Sequence, residues 1–327
     1  MNDKLLSLCK KFIENRDVFK SIYKMESAYL YPVCAAIFAS GEKTVDAQTI
    51  RACGDLLKKK VSSFSSFRGT SRIVMISMLA SDSDPEARLD GALNAYTSLK
   101  KHFFAGNYLP LAAMILSGEL PENEFDGISE RTREIYDLMR SEHPFLTSGE
   151  DCVFAMLLAL SGQRPGDIVT EVERCYRILK GKFFSANAVQ SLSHVLALCE
   201  GNAEDKCRAT AELFDALKAN KIKYGTEYEL ATLGTLAMLP ASQSEIISEL
   251  ADVDAFLACQ KGYGFFGLGK SQRLMHAGML VTSAHLSQNG LAESALAVSA
   301  QQAAIAAAQQ AAICAAIAAQ AAANASN

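Results

Sequence analysis

The apolar and polar positions of this chain alternate with a helical period almost throughout. From Asp167, the residues Ile168, Val169, Val172, Tyr176 and Leu179 recur at three- and four-residue spacing, with Glu171, Glu173, Arg174 and Arg177 between them. That is one buried stripe on an otherwise solvated helix. Other segments are apolar on every side, as in Val74–Ala80, Leu109–Leu116, Val153–Leu160 and Val195–Leu198. A helix without a polar face must be covered all round, so these predict an inner layer beneath the amphipathic helices. An amphipathic helix over Lys4–Lys24 precedes the first such pair. No period-2 run is long enough to predict a strand.

The two kinds of helix alternate with a period near forty residues. Tyr96, Leu99, Lys100, Phe103, Phe104, Asn107 and Leu116 return without a gap as Tyr176, Leu179, Lys180, Phe183, Phe184, Asn187 and Leu196. The aromatic recurs at Tyr96, Tyr136, Tyr176, Phe214 and Phe256, and a basic residue follows it at Lys100, Arg140, Lys180 and Lys218, with Lys58 one step earlier. Such a period means stacked units, each relying on its neighbours to bury its apolar face. Helix ends are marked at Ser40-Gly41, Ser81-Asp82, Ser117-Gly118, Ser161-Gly162, Glu200-Gly201 and Leu239-Pro240, where glycine or proline stops a helix. Helix starts are marked by Thr147 with Glu150, Thr226 with Glu229 and Ser242 with Glu245, the capping-box spacing, and by Asp84-Pro85. The prediction is an all-α protein of six or seven tandem helical hairpins, forming an α-solenoid or α/α toroid-like array over residues 1–291.

Residues 292–327 differ in kind. From Ser294 onward there is no charge, and alanine and glutamine dominate, which predicts a helix. As a bilayer span it would carry Gln301, Gln302, Gln309, Gln310 and Gln320 into lipid, so the tail is expected to pack instead, on its own array or against the same tail of another chain. A net charge of −4 argues against nucleic acid as the partner. Nine scattered cysteines read as reduced thiols, and the N-terminus has no uninterrupted apolar run of the secretory kind, which together place the chain in the cytoplasm.

Candidate chemistry is sparse. Gly264–Ser271 satisfies the phosphate-loop pattern G-x-x-x-x-G-K-S, but the preceding segment, Ser244–Cys259, reads as helix where that loop needs a strand. The simpler reading is a glycine-rich hairpin turn whose phenylalanines, Phe265 and Phe266, pack; they fall where Phe103-Phe104 and Phe183-Phe184 fall in sibling turns. The basic series Lys58, Lys100, Arg140, Lys180 and Lys218 sits where a cation meets a helix C-terminus; stacked, it could also form a ladder for an acidic ligand. His276 and His285 are nine residues apart and cannot share a ligand face on one helix, so no metal and no cofactor is expected. Paired acids at helix starts read as caps, and neither the tryptophan platforms of a glycosidase nor a D-D-x-x-D cluster is present.

The L-K-x-x-F-F-x-x-N repeat at Leu99–Asn107 and Leu179–Asn187, the G-F-F-G-L-G-K-x-Q-R segment Gly264–Arg273 and the alanine-glutamine terminus resemble a bacterial family catalogued as domain of unknown function four thousand and three. The resemblance covers nearly the whole chain and implies a bacterial cytosolic protein; it brings no activity, cofactor or catalytic residue. The expectation is a helical-repeat protein that binds a protein partner or its own kind. The alternative is a small-molecule enzyme or sensor for a phosphorylated ligand, its pocket near Gly262–Arg273 with Arg72, Lys270 and Arg273 as polar groups.

Overall fold

The computed structural model describes residues 1–38, 43–264, 267–288 and 313. Among them lie fourteen α-helices and no strand. They pair in chain order as α1 (Asp3–Ile22) with α2 (Leu30–Ala36), α3 (Ala47–Lys60) with α4 (Arg72–Ser81), and α5 (Pro85–Leu99) with α6 (Leu109–Glu119). Next come α7 (Phe125–Glu142) with α8 (Asp151–Leu160), α9 (Pro165–Lys180) with α10 (Ala186–Leu198), α11 (Ala203–Ala219) with α12 (Leu230–Ala237), and α13 (Gln243–Ala258) with α14 (Lys270–Gln288). Sequential, hairpin-like packing follows from the period, because second helices lie against their amphipathic partners, as α6 does against α5 and α8 against α7, and against second helices of neighbours, as α6 does against α8 and α10 against α12.

The helices fall into two compact units, one contiguous (Val45–Thr170) and one built from both ends of the chain (Met1–Thr44 with Glu171 onward). In the contiguous unit, α3, α5 and α7 form one layer and α4, α6 and α8 a second. The second layer is the buried one: every residue from Asp151 to Ala159 of α8 is buried, as are Leu109–Met114 of α6. In the discontinuous unit, α10, α12 and α14 pack in a row, and α1 and α2 close onto α14. Leu5, Phe12 and Phe19 of α1 are fully covered there.

The punctuation is observed where the backbone needs it. Asp84 caps α5 by accepting from the Ala87 N–H at 3.0 Å, and Ser242 caps α13 by accepting from Glu245 at 3.2 Å. Thr147 and Thr226 do not cap. Helix α8 begins four residues beyond Thr147, whose hydroxyl turns back to the Met139 carbonyl, and the Asp151 carboxylate takes the Ser148 N–H at 2.7 Å. Likewise the Glu229 carboxylate accepts from its near neighbour Glu227. Ser117-Gly118 does not end α6, which runs on to Glu119, because Arg88 lies over Gly118 and donates to the Met114 carbonyl at 2.6 Å. Gly162 and Gly201 do take positive φ at helix ends. The expected stop at Ser40-Gly41 and the alanine-rich tail lie outside the described residues, except that Ile313 is helical and buried.

Candidate functional site

The repeat has a clear structural cause. The turns of three hairpins, α3–α4, α5–α6 and α9–α10, each insert one phenylalanine against the next first helix, where it meets the recurring aromatic edge-on. Phe67 meets Tyr96 with ring centroids 5.2 Å apart, Phe103 meets Tyr136 at 5.4 Å, and Phe183 meets Phe214 at 5.1 Å. Such T-shaped pairs contribute about 0.5–1.5 kcal/mol beyond their area. The expected packing of Phe265 and Phe266 lies outside the described residues; in the sibling turns the two adjacent positions differ. Phe183 is buried, whereas Phe184 is 96% exposed and Phe104 99%.

This exposure is systematic. The large apolar side chains that stand almost fully in solvent include Met25, Phe64, Phe104, Phe145 and Phe184, one in each of the first five hairpin turns and spaced 39, 40, 41 and 39 residues apart. Leaving a phenylalanine in water forgoes roughly 1.5–3 kcal/mol of burial. No packing among the described residues explains that cost at the same place in successive units.

In the contiguous unit the turns form a continuous edge. Ser71 Oγ donates to the Asn107 carbonyl at 3.1 Å, joining the first turn to the second, and the Tyr108 hydroxyl bonds Glu150, joining the second to the third. The first-layer helices run parallel: Lys60 reaches Asp90 while Phe67 reaches Tyr96, and Arg133 reaches the His102 carbonyl while Tyr136 meets Phe103. Phe64, Phe104 and Phe145 consequently project from one side of that unit.

At four of the seven hairpin turns charge divides along the same axis. No Asp or Glu occurs in residues 56–81, 91–118, 174–199 or 255–292, and each of these stretches contains a hairpin turn. The opposite ends, where one hairpin passes to the next, carry Asp82, Asp84, Glu122, Glu124 and Glu200. At that end of the contiguous unit an open groove of about 570 Å³ is lined by Asp46, Thr49, Cys53, Asp84 and Glu86. Asp46 and Asp84 already cap α3 and α5 there, so the groove is an acidic seam between two helix starts.

The basic series falls where the dipole argument puts it. Lys58, Arg140, Lys180 and Lys218 occupy last turns of first helices, and Lys100 caps α5. Lys58, Lys100 and Arg140 belong to the contiguous unit, Lys180 and Lys218 to the discontinuous one. Lys100 and Lys180 have no carboxylate partner among the described residues; Lys100 lies 5.8 Å from the Tyr96 ring centre and Lys180 lies 5.5 Å from that of exposed Phe184.

Around the glycine-rich connection the polar groups are committed to one another. Arg273 holds Asp254 through both Nε (2.6 Å) and Nη2 (3.2 Å), which uses its fork inside the fold. Lys270 opens α14, and Arg72 lies in the other unit, at the start of α4. The Gly267 and Leu268 N–H groups donate to Gly264 and Gly262 carbonyls at 2.9 and 2.8 Å, so they do not cradle a phosphate. Tyr263 Oη bonds His276 Nδ1 at 2.9 Å, and the Arg16 guanidinium lies 5.5 Å from the Tyr263 ring centre. Complete burial, reinforced by Arg16, lowers the His276 pKa to about 3, so the ring is neutral. His285 is not near His276 in role: its Nε2 bonds Glu249 at 2.7 Å, and with Glu245 it forms the three-donor group that could approach a cation, all donor atoms lying within 4.8 Å. Burial pushes the Cys9, Cys152 and Cys199 thiols up to about 12, which removes them as nucleophiles.

An all-α chain of tandem hairpins with aromatic-tipped turns is the class these observations define. The chain belongs to the family of proteins of unknown function DUF4003, whose model matches residues 17–311. It is similar to the uncharacterized protein YeaA of Bacillus subtilis (strain 168), with 24% identity over 302 residues that cover 86% of this chain and 87% of that protein. No solved structure matches it. No helix among the described residues is long and apolar enough to cross a membrane.

Sequence reasoning found the recurring aromatic and basic positions but passed over the turn residue beside them. The signal was present: a phenylalanine or methionine every forty residues, with Phe64, Phe104 and Phe184 inside acid-free stretches.

Proposed function

We propose that this protein works by docking and that its hairpin turns are the contact. The observation that carries the reading is the single, fully exposed apolar side chain at Met25, Phe64, Phe104, Phe145 and Phe184. Burial on a partner is what would recover the free energy each of them forgoes in the free chain. An α-solenoid or α/α toroid is the arrangement in which such turns line up, and the parallel first-layer helices inside the contiguous unit support it. The small-molecule alternative, with Arg72, Lys270 and Arg273 as its polar groups, is the less favoured reading, because the Arg273 fork is held by Asp254.

Site-specific photocrosslinking in living cells tests the reading. A benzophenone amino acid placed at Phe104 or Phe145 should give adducts, whereas the same group at exposed Asn123 or Gln163, in the connections at the opposite end of the unit, should give none. Equal yields at both ends, or none at either, would remove the docking reading.

A further inference from the structure

We infer that the partner of the hairpin turns is the surface of an anionic lipid bilayer. The inference rests on the docking reading and specifies what is docked onto.

Three features of the contiguous unit select a bilayer over a protein. First, Phe64, Phe104 and Phe145 are each 99% exposed, so each ring protrudes by itself and no common apolar patch joins them. A protein partner needs a pocket matched to every ring. A bilayer interface accepts isolated protruding rings at any spacing, because the acyl boundary is fluid and apolar throughout. Second, the rings share one edge, since their turns are tied through Ser71 to Asn107 and through Tyr108 to Glu150. A planar target can then be met by all three together. Third, the charge has the sign and place that an anionic leaflet attracts. The first two turns lie in acid-free stretches with Lys58, Lys59, Lys60 and Arg68 at one and Lys100 and Lys101 at the other. Several of these are committed within the fold, Lys60 to Asp90 and Lys101 to Asp126. Lys59 and Lys100, both exposed, have no carboxylate partner among the described residues and remain for lipid phosphate.

The acidic seam of Asp46, Asp84 and Glu86 lies at the far end of the same helices. An anionic surface repels that end and attracts the turns, so one orientation is selected before any ring inserts. The same device recurs in the discontinuous unit at Phe184, with Lys180 beside the ring and no carboxylate from residue 174 to 199. The composition of the tail argued only against a bilayer span; docking at a surface needs none.

The absence of tryptophan from the chain supplies the test. The full-length Phe104→Trp protein has a single indole, at a turn that the packing does not use. Mixed with vesicles of equal parts phosphatidylcholine and phosphatidylglycerol, it should sediment with them, shift its emission to the blue and be quenched by brominated acyl chains. Vesicles of phosphatidylcholine alone should bind at least tenfold less, and 0.5 M salt should reduce binding to the anionic ones. Combining Phe64→Ser, Phe104→Ser and Phe145→Ser should lower partitioning at least a hundredfold with unchanged circular dichroism, since burying one aromatic side chain is worth roughly tenfold or more. Binding that survives the triple substitution, or indole emission unshifted in the bound protein, would overturn the inference. If vesicles do not bind but crosslinks from Phe104 carry the mass of a polypeptide, the lipid inference fails and the docking reading stands. If neither vesicles nor crosslinks appear, both fall.

Discussion

Adjacent phenylalanines in one turn have opposite work. Phe183 is buried against Phe214, and its replacement by alanine should cost about 3–5 kcal/mol, as cavity-forming substitutions of this size do. Phe184→Ala should leave stability within about 0.5 kcal/mol, because the ring is almost wholly exposed. Urea denaturation of the two variants compares them directly. Asp151 offers a second test at this scale. Its carboxyl is almost wholly buried at the start of α8, and that burial pushes its pKa up to about 7 despite the Ser148 N–H that it accepts. An acid whose native pKa is raised contributes stability that is complete below its unfolded value near 4 and is lost as pH rises toward 7. Asp151→Asn keeps the acceptor and removes the titration. The variant should match the parent in thermal melts near pH 4 and exceed it at pH 8, by an amount on the order of 4 kcal/mol.

Helices were legible wherever apolar residues kept a 3.6 period, and the inner layer was legible as segments with no polar face. Val195–Leu198 was recognised only as the end of its helix, because Gln190 and Ser191 interrupt the apolar run and α10 in fact begins at Ala186. Caps were harder to read. Thr147 and Thr226 have the right spacing to a glutamate, yet the turns between them and the helices are long enough that buried carboxylates satisfy the backbone instead. The glycine-rich connection was recognised as unusual, and the reason is now specific. Gly262 has φ of +97°, and a Cβ at Gly267 would stand 2.0 Å from the Gly262 carbonyl oxygen, whereas one at Gly264 would meet nothing within 4 Å. Gly267→Ala should therefore destabilise α13–α14 by roughly 2–3 kcal/mol and Gly264→Ala by under about 1. Chemical denaturation followed by far-ultraviolet dichroism measures both.

At the scale of the molecule, the forty-residue period gave the number and order of hairpins, seven pairs among the described residues. It could not give the partition into units. Contacts between α1 and α14 join residues more than 250 positions apart, and a repeat pattern carries no information on which repeats meet out of order. Nor could it reveal the edge of exposed rings, because a turn phenylalanine that packs and one that does not look identical until the fold assigns each a side. The basic series was legible as position and not as purpose: Lys58 pairs with Asp55, while Lys180 reaches the Phe184 carbonyl at 2.5 Å.

The discontinuous unit has a consequence for synthesis. Helices α1 and α2 leave the ribosome some two hundred residues before α13 and α14, the hairpin against which α1 packs and where His276 meets Phe12. At ordinary elongation rates that interval is roughly 10–40 s. Residues 45–170 can complete their own core in the meantime. The first hairpin has to wait with its greasy face uncovered, which makes the nascent chain a natural client for a ribosome-associated chaperone.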